Sequence, residues 1–152
     1  MISERLKELG ITIPVSPAPL AAYVPAVKTG NYVYTSGQLP MKEGKLACTG
    51  KVGADVTIED AKNAAEISGL NCLGAALTAI GSIDEIERIV KLTVFVASAD
   101  GFTSQPEVAN GASELMIKIF GDKGKHSRSA VGVSELPRGA AVEIEMIAEL
   151  KK

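Results

Sequence analysis

Residues 57–81, TIEDAKNAAEISGLNCLGAALTAIG, constrain the fold more than any other stretch of the chain. Thr57, with Asp60 three residues on, has the form of a capping box. Ala61, Ala65, Leu73, Ala76, Leu77 and Ile80 then recur at helical spacing, and Gly81 ends the run. The stripe is rich in Ala and Gly, so the predicted helix sits close to whatever it covers. The segments on either side alternate with the period of strands, so that partner is predicted to be a sheet.

The flanking pattern fills in the rest. Residues 3–10, SERLKELG, predict a short helix capped by Ser3 and ended by Gly10, with Leu6 and Leu9 on one face. The proline-rich stretch 11–25 is predicted to run extended over the surface. KTGN at 28–31 is a turn between a first strand near 24–28 and a second beginning YVYTSGQLP; KEGK is another turn, and CTGKVGAD a loop or short strand. After the long helix, Ser82 and Glu85 suggest a second capping box. A strand follows with Val90, Leu92, Val94 and Val96 on one face. A helix over about 104–120 then places Val108, Ala112, Leu115, Met116 and Ile119 on one side, with Pro106 in its first turn and Gly121 after its end. The order β-β-(β)-α-β-α-β-β predicts an α+β two-layer domain spanning 1–152, a mixed sheet with two main helices on one face. Its other face, apolar and uncovered, predicts self-association.

The chain closes on residues 126–150, HSRSAVGVSELPRGAAVEIEMIAEL, predicted as a hairpin of 129–136 and 140–150 across LPRGA. Alternation puts Val131 and Val133 under the helices and Arg128, Ala130, Gly132 and Ser134 on the far face. On the return strand Val142, Ile144, Met146, Ala148 and Leu150 share one face and Glu143, Glu145, Ile147 and Glu149 the other. The small Ala130 and Gly132 leave room beside Arg128, whose guanidinium suits bidentate capture of a carboxylate, and Glu143 is a candidate to orient or deprotonate a water. The plainer alternative is an ordinary solvated face in which Arg128 pairs with a neighbouring acid. In a tight hairpin the two residues stand about five positions apart, on the order of 16 Å at ~3.3 Å per residue, so a site using both must be completed across a subunit boundary.

Bulk properties exclude several classes. A formal charge of -2 argues against a basic nucleic-acid surface, and 4% aromatic residues without Trp supply no platform for stacked bases. No run reaches the ~18 apolar residues of a membrane span, and the acidic N-terminus does not read as a secretory signal. Cys48 and Cys72 follow no metal or redox spacing; they read as reduced thiols of a cytoplasmic protein, small buried hydrophobes rather than ligands. His126 is the single histidine and no nucleophile motif surrounds it, so it reads as a loop histidine near the rim.

TSGQLP (35–40), VKLTVFV (90–96), RSAVGV (128–133), LP (136–137) and VEIEMIA (142–148) together resemble the reactive-intermediate deaminases, the Rid group, also called the YjgF or L-PSP endoribonuclease family. The resemblance covers residues 17–150. It implies a chorismate-mutase-like fold, a homotrimer with clefts between subunits, and hydrolysis of enamine/imine intermediates such as 2-aminoacrylate to 2-oxo acids and ammonia with no metal or organic cofactor. It assigns Arg128 to the substrate carboxylate and Glu143 to the attacking water, and it places Tyr23, Ser36, Gly37 and Asn110 in the same cleft. Ala130 stands where many deaminase-active members have Cys, Gly132 where many carry Glu, and Ala22 where Pro commonly precedes the Tyr. With the additional N-terminal helix, these departures resemble a longer-chain branch.

Two other functions compete with imine hydrolysis. One is a non-catalytic trimer that senses a 2-oxo acid or amino acid through Arg128. The other is a ribonuclease, against which the acidic charge and lone histidine argue. The expected partners are a carboxylate-bearing small molecule and further copies of the chain, with neither nucleic acid nor membrane.

Overall fold

A computed structural model describes residues 1–18 and 21–152. Its elements are α1 (Ile2–Leu9), β1 (Ala26–Thr29), β2 (Tyr32–Thr35), β3 (Met41–Lys42), β4 (Lys45–Leu46), α2 (Ile58–Ile80), β5 (Ile86–Ala97), α3 (Gln105–Phe120), β6 (Ser127–Val133) and β7 (Val142–Leu150). Five strands form one sheet in the order β1-β2-β7-β5-β6. All pairings are antiparallel except β5 with β6. β3 and β4 make a separate small hairpin around the KEGK turn, with Glu43 and Gly44 at positive φ. The expected α+β arrangement of a mixed sheet with α2 and α3 on one face is present.

The core lies between that face and the two helices. Leu92, Val94 and Val96 of β5 and Val142, Ile144 and Met146 of β7 meet Leu73 of α2 and Met116 of α3, all fully buried. Small residues set the spacing. At Gly111 a Cβ would overlap the Lys62 carbonyl, so the backbone of α3 rests directly on α2. At Gly74 a Cβ would overlap the Pro14 carbonyl, where the N-terminal arm crosses α2. The arm has no regular structure over 11–18 and bends at 21–23, while Pro19 and Leu20 of the extended stretch lie outside the described residues.

The helix caps differ in detail from expectation. Thr57 caps α2 by accepting from the Asp60 N–H at 3.1 Å. Ser3 does not cap α1: Met1 holds that position, and Ser3 donates its N–H and hydroxyl to the Asp84 carboxylate at 2.9 and 2.6 Å. Asp84 thus satisfies a first-turn donor from across the chain. Ser82 accepts from the Asp84 N–H at 3.2 Å rather than pairing with Glu85, at the start of a one-turn 3-10 helix. In β5 a register shift between Ile89 and Lys91 turns Ile89 into the core and leaves Val90 half-buried.

The expected terminal hairpin is absent. β6 and β7 are not neighbours, because β5 lies between them, parallel to β6 and antiparallel to β7. Crossing one intervening strand spans only about 10 Å, which the connection 134–141 covers easily. The faces of β6 are also reversed. Arg128, Ala130 and Gly132 pair with Leu92, Val94 and Val96 and face the helices. Val131 pairs with Phe95 and is 43% exposed on the far face. β7 keeps its expected phase, with Glu143, Glu145, Ile147 and Glu149 away from the helices.

That far face carries Val27, Tyr32, Tyr34 and Val131, all 40% or more exposed. Registers link Val27 to Tyr34 and Tyr34 to Ile147, so apolar surface continues across three strands. Among the described residues, no helix is long and apolar enough to cross a membrane.

Candidate functional site

Arg128 sits on the edge strand β6 and turns toward α3. Its Nη1 donates to Asn110 Oδ1 at 2.8 Å and to Ser113 Oγ at 3.1 Å. Asn110 and Ser113 are three residues apart on α3, so they share a face, and the seat of α3 on α2 at Gly111 aims that face at β6. Among the described residues no carboxylate pairs with Arg128. Both of its partners are neutral, so the cationic charge remains uncompensated. Within one chain, then, the described residues offer no acid for an ordinary ion pair with Arg128.

Ser113 escaped the sequence reading, and so did the setting of His126. Ser113 Oγ lies 2.9 Å from His126 Nε2, and His126 Nδ1 lies 2.6 Å from the Gly124 carbonyl. The serine and histidine are thirteen residues apart, and only the approach of α3 to the start of β6 brings them together. Burial, followed by the Arg128 charge, lowers the His126 pKa below 6.5 against the opposing bond to Gly124.

The space expected beside Arg128 is only partly there. At Gly132 a Cβ would stand 2.8 Å from Gln105 Nε2 and 3.0 Å from Ser98 Oγ. Gln105 is held there, donating to the Phe102 carbonyl at 2.8 Å and to Ser98 Oγ at 3.2 Å. The room at Gly132 is thus occupied, and Ala130 is partly buried against the core.

Glu143 belongs to a second cluster. A Cβ at Gly37 would overlap the Glu143 carboxylate and lie 2.9 Å from its Cδ, so glycine is what lets the acid lie against this backbone. Gln38 and Ile144 exchange hydrogen bonds at 2.7 and 3.0 Å, which fixes that register. Ser36 takes the 23–25 segment in hand: its N–H donates to the Pro25 carbonyl at 2.8 Å and its hydroxyl to the Val24 carbonyl at 2.6 Å. Tyr23, 60% exposed, projects from that segment. Burial, then the neighbouring Glu145, raises the Glu143 carboxyl above 4.5, so it accepts a proton more readily than an ordinary glutamate.

The structure therefore divides the expected site residues into two groups. Arg128 and Asn110 lie on the helix side of β6; Tyr23, Ser36, Gly37 and Glu143 gather at β7 and the end of β2. The expectation that Arg128 and Glu143 share a face is corrected: they lie on opposite faces, because Arg128 aligns with the core residue Leu92 and Glu143 with the outward Phe95. Two strand spacings and three residues of stagger separate their Cα atoms by about 14 Å. Five surface clefts of the single chain are lined by neither Arg128 nor Glu143.

Neither cysteine offers a thiolate. Burial pushes the Cys72 thiol up to about 12, and it donates to the Ile144 carbonyl at 3.3 Å. Burial and then Asp60 raise Cys48 as well. Among the described residues, no group of three or more His, Cys, Asp or Glu is placed to hold a metal ion. The chemistry the residues support is capture of an anion by Arg128 and proton transfer at Glu143.

Residues 13–150 match the family model described as Endoribonuclease L-PSP. Among curated proteins the chain is 42% identical to Protein TCP17 of Trypanosoma cruzi, over 98% of this chain and 94% of that one. It is 32% identical to the 2-iminobutanoate/2-iminopropanoate deaminase of Escherichia coli strain K12, over 88% of this chain and 91% of that one. Among solved structures, Atu1372 of Agrobacterium tumefaciens, described as having unknown function, superposes with a TM-score of 0.90 at 47% identity, covering 99% of this chain and 92% of that one.

Proposed function

The chain belongs to the Endoribonuclease L-PSP family, and on that premise we propose that it hydrolyses small 2-imino acids and their enamine tautomers to 2-oxo acids and ammonia. The observation that carries this reading is the Arg128 guanidinium, held in place by the neutral Asn110 and Ser113 and paired with no acid among the described residues of its own chain. The naming of an E. coli relative as a deaminase of 2-imino acids supports it.

The chemistry asks little of the protein. A protonated imine is already electrophilic, so the site needs a carboxylate anchor, an oriented water and a proton acceptor. Arg128 holds the carboxylate. Glu143 takes a proton as water adds to the imine carbon, forming a C–O bond. The same proton reaches nitrogen; Glu143 then takes the hydroxyl proton as the C=O forms, the C–N bond breaks with its electron pair going to nitrogen, ammonia leaves, and the 2-oxo acid remains. No covalent enzyme intermediate is required.

Opposite faces and about 14 Å of separation keep Arg128 and Glu143 of one chain from a shared small substrate. The reading therefore has Arg128 of one subunit facing Tyr23, Ser36, Gly37 and Glu143 of the next, in a homotrimer packed on the apolar sheet face. An amino-acid oxidase or dehydratase that supplies the imine, coupled to this protein, tests the activity directly. Faster imine decay with wild type and not with Arg128→Ala supports the reading. Carboxylate binding by calorimetry without faster decay favours a non-catalytic sensor. RNA cleavage that survives repurification and Arg128→Ala favours a ribonuclease.

A further inference from the structure

We propose that Ser113 and His126 form a one-way hydrogen-bond relay that fixes the Arg128 guanidinium for carboxylate capture, making His126 a positioning residue whose protonation releases the anchor. The proposal rests on Arg128 being that anchor.

The polarity of each bond follows from donor inventory. A guanidinium only donates, so Asn110 Oδ1 and Ser113 Oγ accept from Arg128 Nη1. The Gly124 carbonyl only accepts, so the proton sits on His126 Nδ1 and that nitrogen donates. Nε2 of the neutral ring is then bare and accepts the Ser113 hydroxyl at 2.9 Å. Every donor in the series Arg128, Ser113, His126, Gly124 meets an acceptor, and the sense cannot reverse at either end. Gly124 itself is fixed, since a Cβ there would lie 2.6 Å from the Met116 carbonyl carbon of α3.

Protonating His126 breaks the series. Nε2–H would then donate to Ser113 Oγ, turning the hydroxyl proton away, and two cations would converge on the one oxygen, loosening its hold on Arg128. Arg128 is the charged group that acts on the imidazole. The other charges on the elements packed around it are largely paired: Asp122 with Lys125, Lys123 with Glu87, and Glu114 of α3 with Lys62. Arg88 of β5 donates to the Lys125 carbonyl, and Lys91 aligns with Ser127 at the strand edge. None of these pairs with the histidine. A serine donating to a neutral histidine is also the geometry of an activated nucleophile, so the relay and a Ser113 nucleophile are separated by covalent labelling.

His126 is the only histidine, so its ring signals in NMR need no assignment by mutation. With the full chain labelled at histidine nitrogen, the expected result at neutral pH is a neutral ring protonated on Nδ1, with a pKa below 6.5 that rises in Arg128→Ala. Pyruvate is the binding probe. Its affinity is expected to fall about fivefold as pH drops through the measured His126 pKa. His126→Phe should show the weakened affinity at every pH, and His126→Gln, which can still accept from Ser113, should restore tight binding without the pH dependence. In the imine assay the relay variants should raise KM and leave kcat nearly unchanged. A ring protonated on Nε2, wild-type affinity and pH dependence in His126→Phe, or covalent labelling of Ser113 by a fluorophosphonate would overturn the relay. Unchanged pyruvate binding by Arg128→Ala would instead overturn the anchor reading, and the NMR result would still stand on its own.

Discussion

Two residues with opposite electrostatic histories define this chain. The Arg128 guanidinium is held by the neutral Asn110 and Ser113, whereas Glu143 has its ionisation opposed by burial and by Glu145. Replacing Arg128 by Ala removes the anchor, and kcat/KM for imine decay is expected to fall roughly 100-fold; Lys recovers little, since a point charge does not reproduce the planar fork. Glu143 gives a pH signature in both activity and stability. As the proton acceptor it must be ionised, so the acid limb of the wild-type kcat profile lies above pH 4.5. For stability the sign is opposite. A carboxyl whose folded pKa is raised stabilises below its unfolded value near 4.5, and that contribution is lost as pH rises through the folded pKa. Glu143→Gln should therefore raise the melting temperature at neutral pH and lose that advantage near pH 4, measured by thermal unfolding across the range.

At the scale of elements, the seat of α3 positions half the site. Gly111→Ala pushes a Cβ into the Lys62 carbonyl, and the helices must separate. We expect a loss of about 1–3 kcal/mol in denaturant unfolding. KM should rise as well, because Asn110 and Ser113 move with α3. The long helix, its Thr57 cap and the phase of β7 were legible in the sequence, since α2 has helical period and β7 strict alternation with one buried face. β6 was not. Its valines alternate with Ala and Gly, and apolarity alone places the valines inward, but the observed phase turns Arg128 to Asn110 and Ser113 and sets Gly132 against Gln105 and Ser98. The turn residues around Pro137 read as a hairpin, and nothing local reveals that β5 inserts between β6 and β7. Arg128 and Glu143 stand out in the sequence by their motif, and the fold places them on opposite faces of the sheet. The Ser113–His126 contact, by contrast, depends on tertiary approach that no spacing encodes.

For the whole molecule, the outward sheet face exposes apolar side chains across β1, β2 and β6, with Val27, Tyr34 and Val131 each more than 40% exposed, and the proposed trimer packs on it. Tyr34→Asp places a charge in the middle of that face. It is expected to shift sedimentation from trimer to monomer while leaving the circular dichroism of the chain unchanged, and to abolish imine hydrolysis although no residue assigned to the chemistry is altered. In the proposed trimer each site takes Arg128 from one chain and Glu143 from another. Mixing unfolded Arg128→Ala and Glu143→Gln chains in equal amounts and refolding them together tests it most directly. Each variant alone should be inactive. Random assembly into a trimer should restore about one quarter of wild-type activity, since a productive site needs the intact arginine on one side and the intact glutamate on the other. A mixture as inactive as its components, with mixed trimers verified by mass spectrometry, would contradict the account.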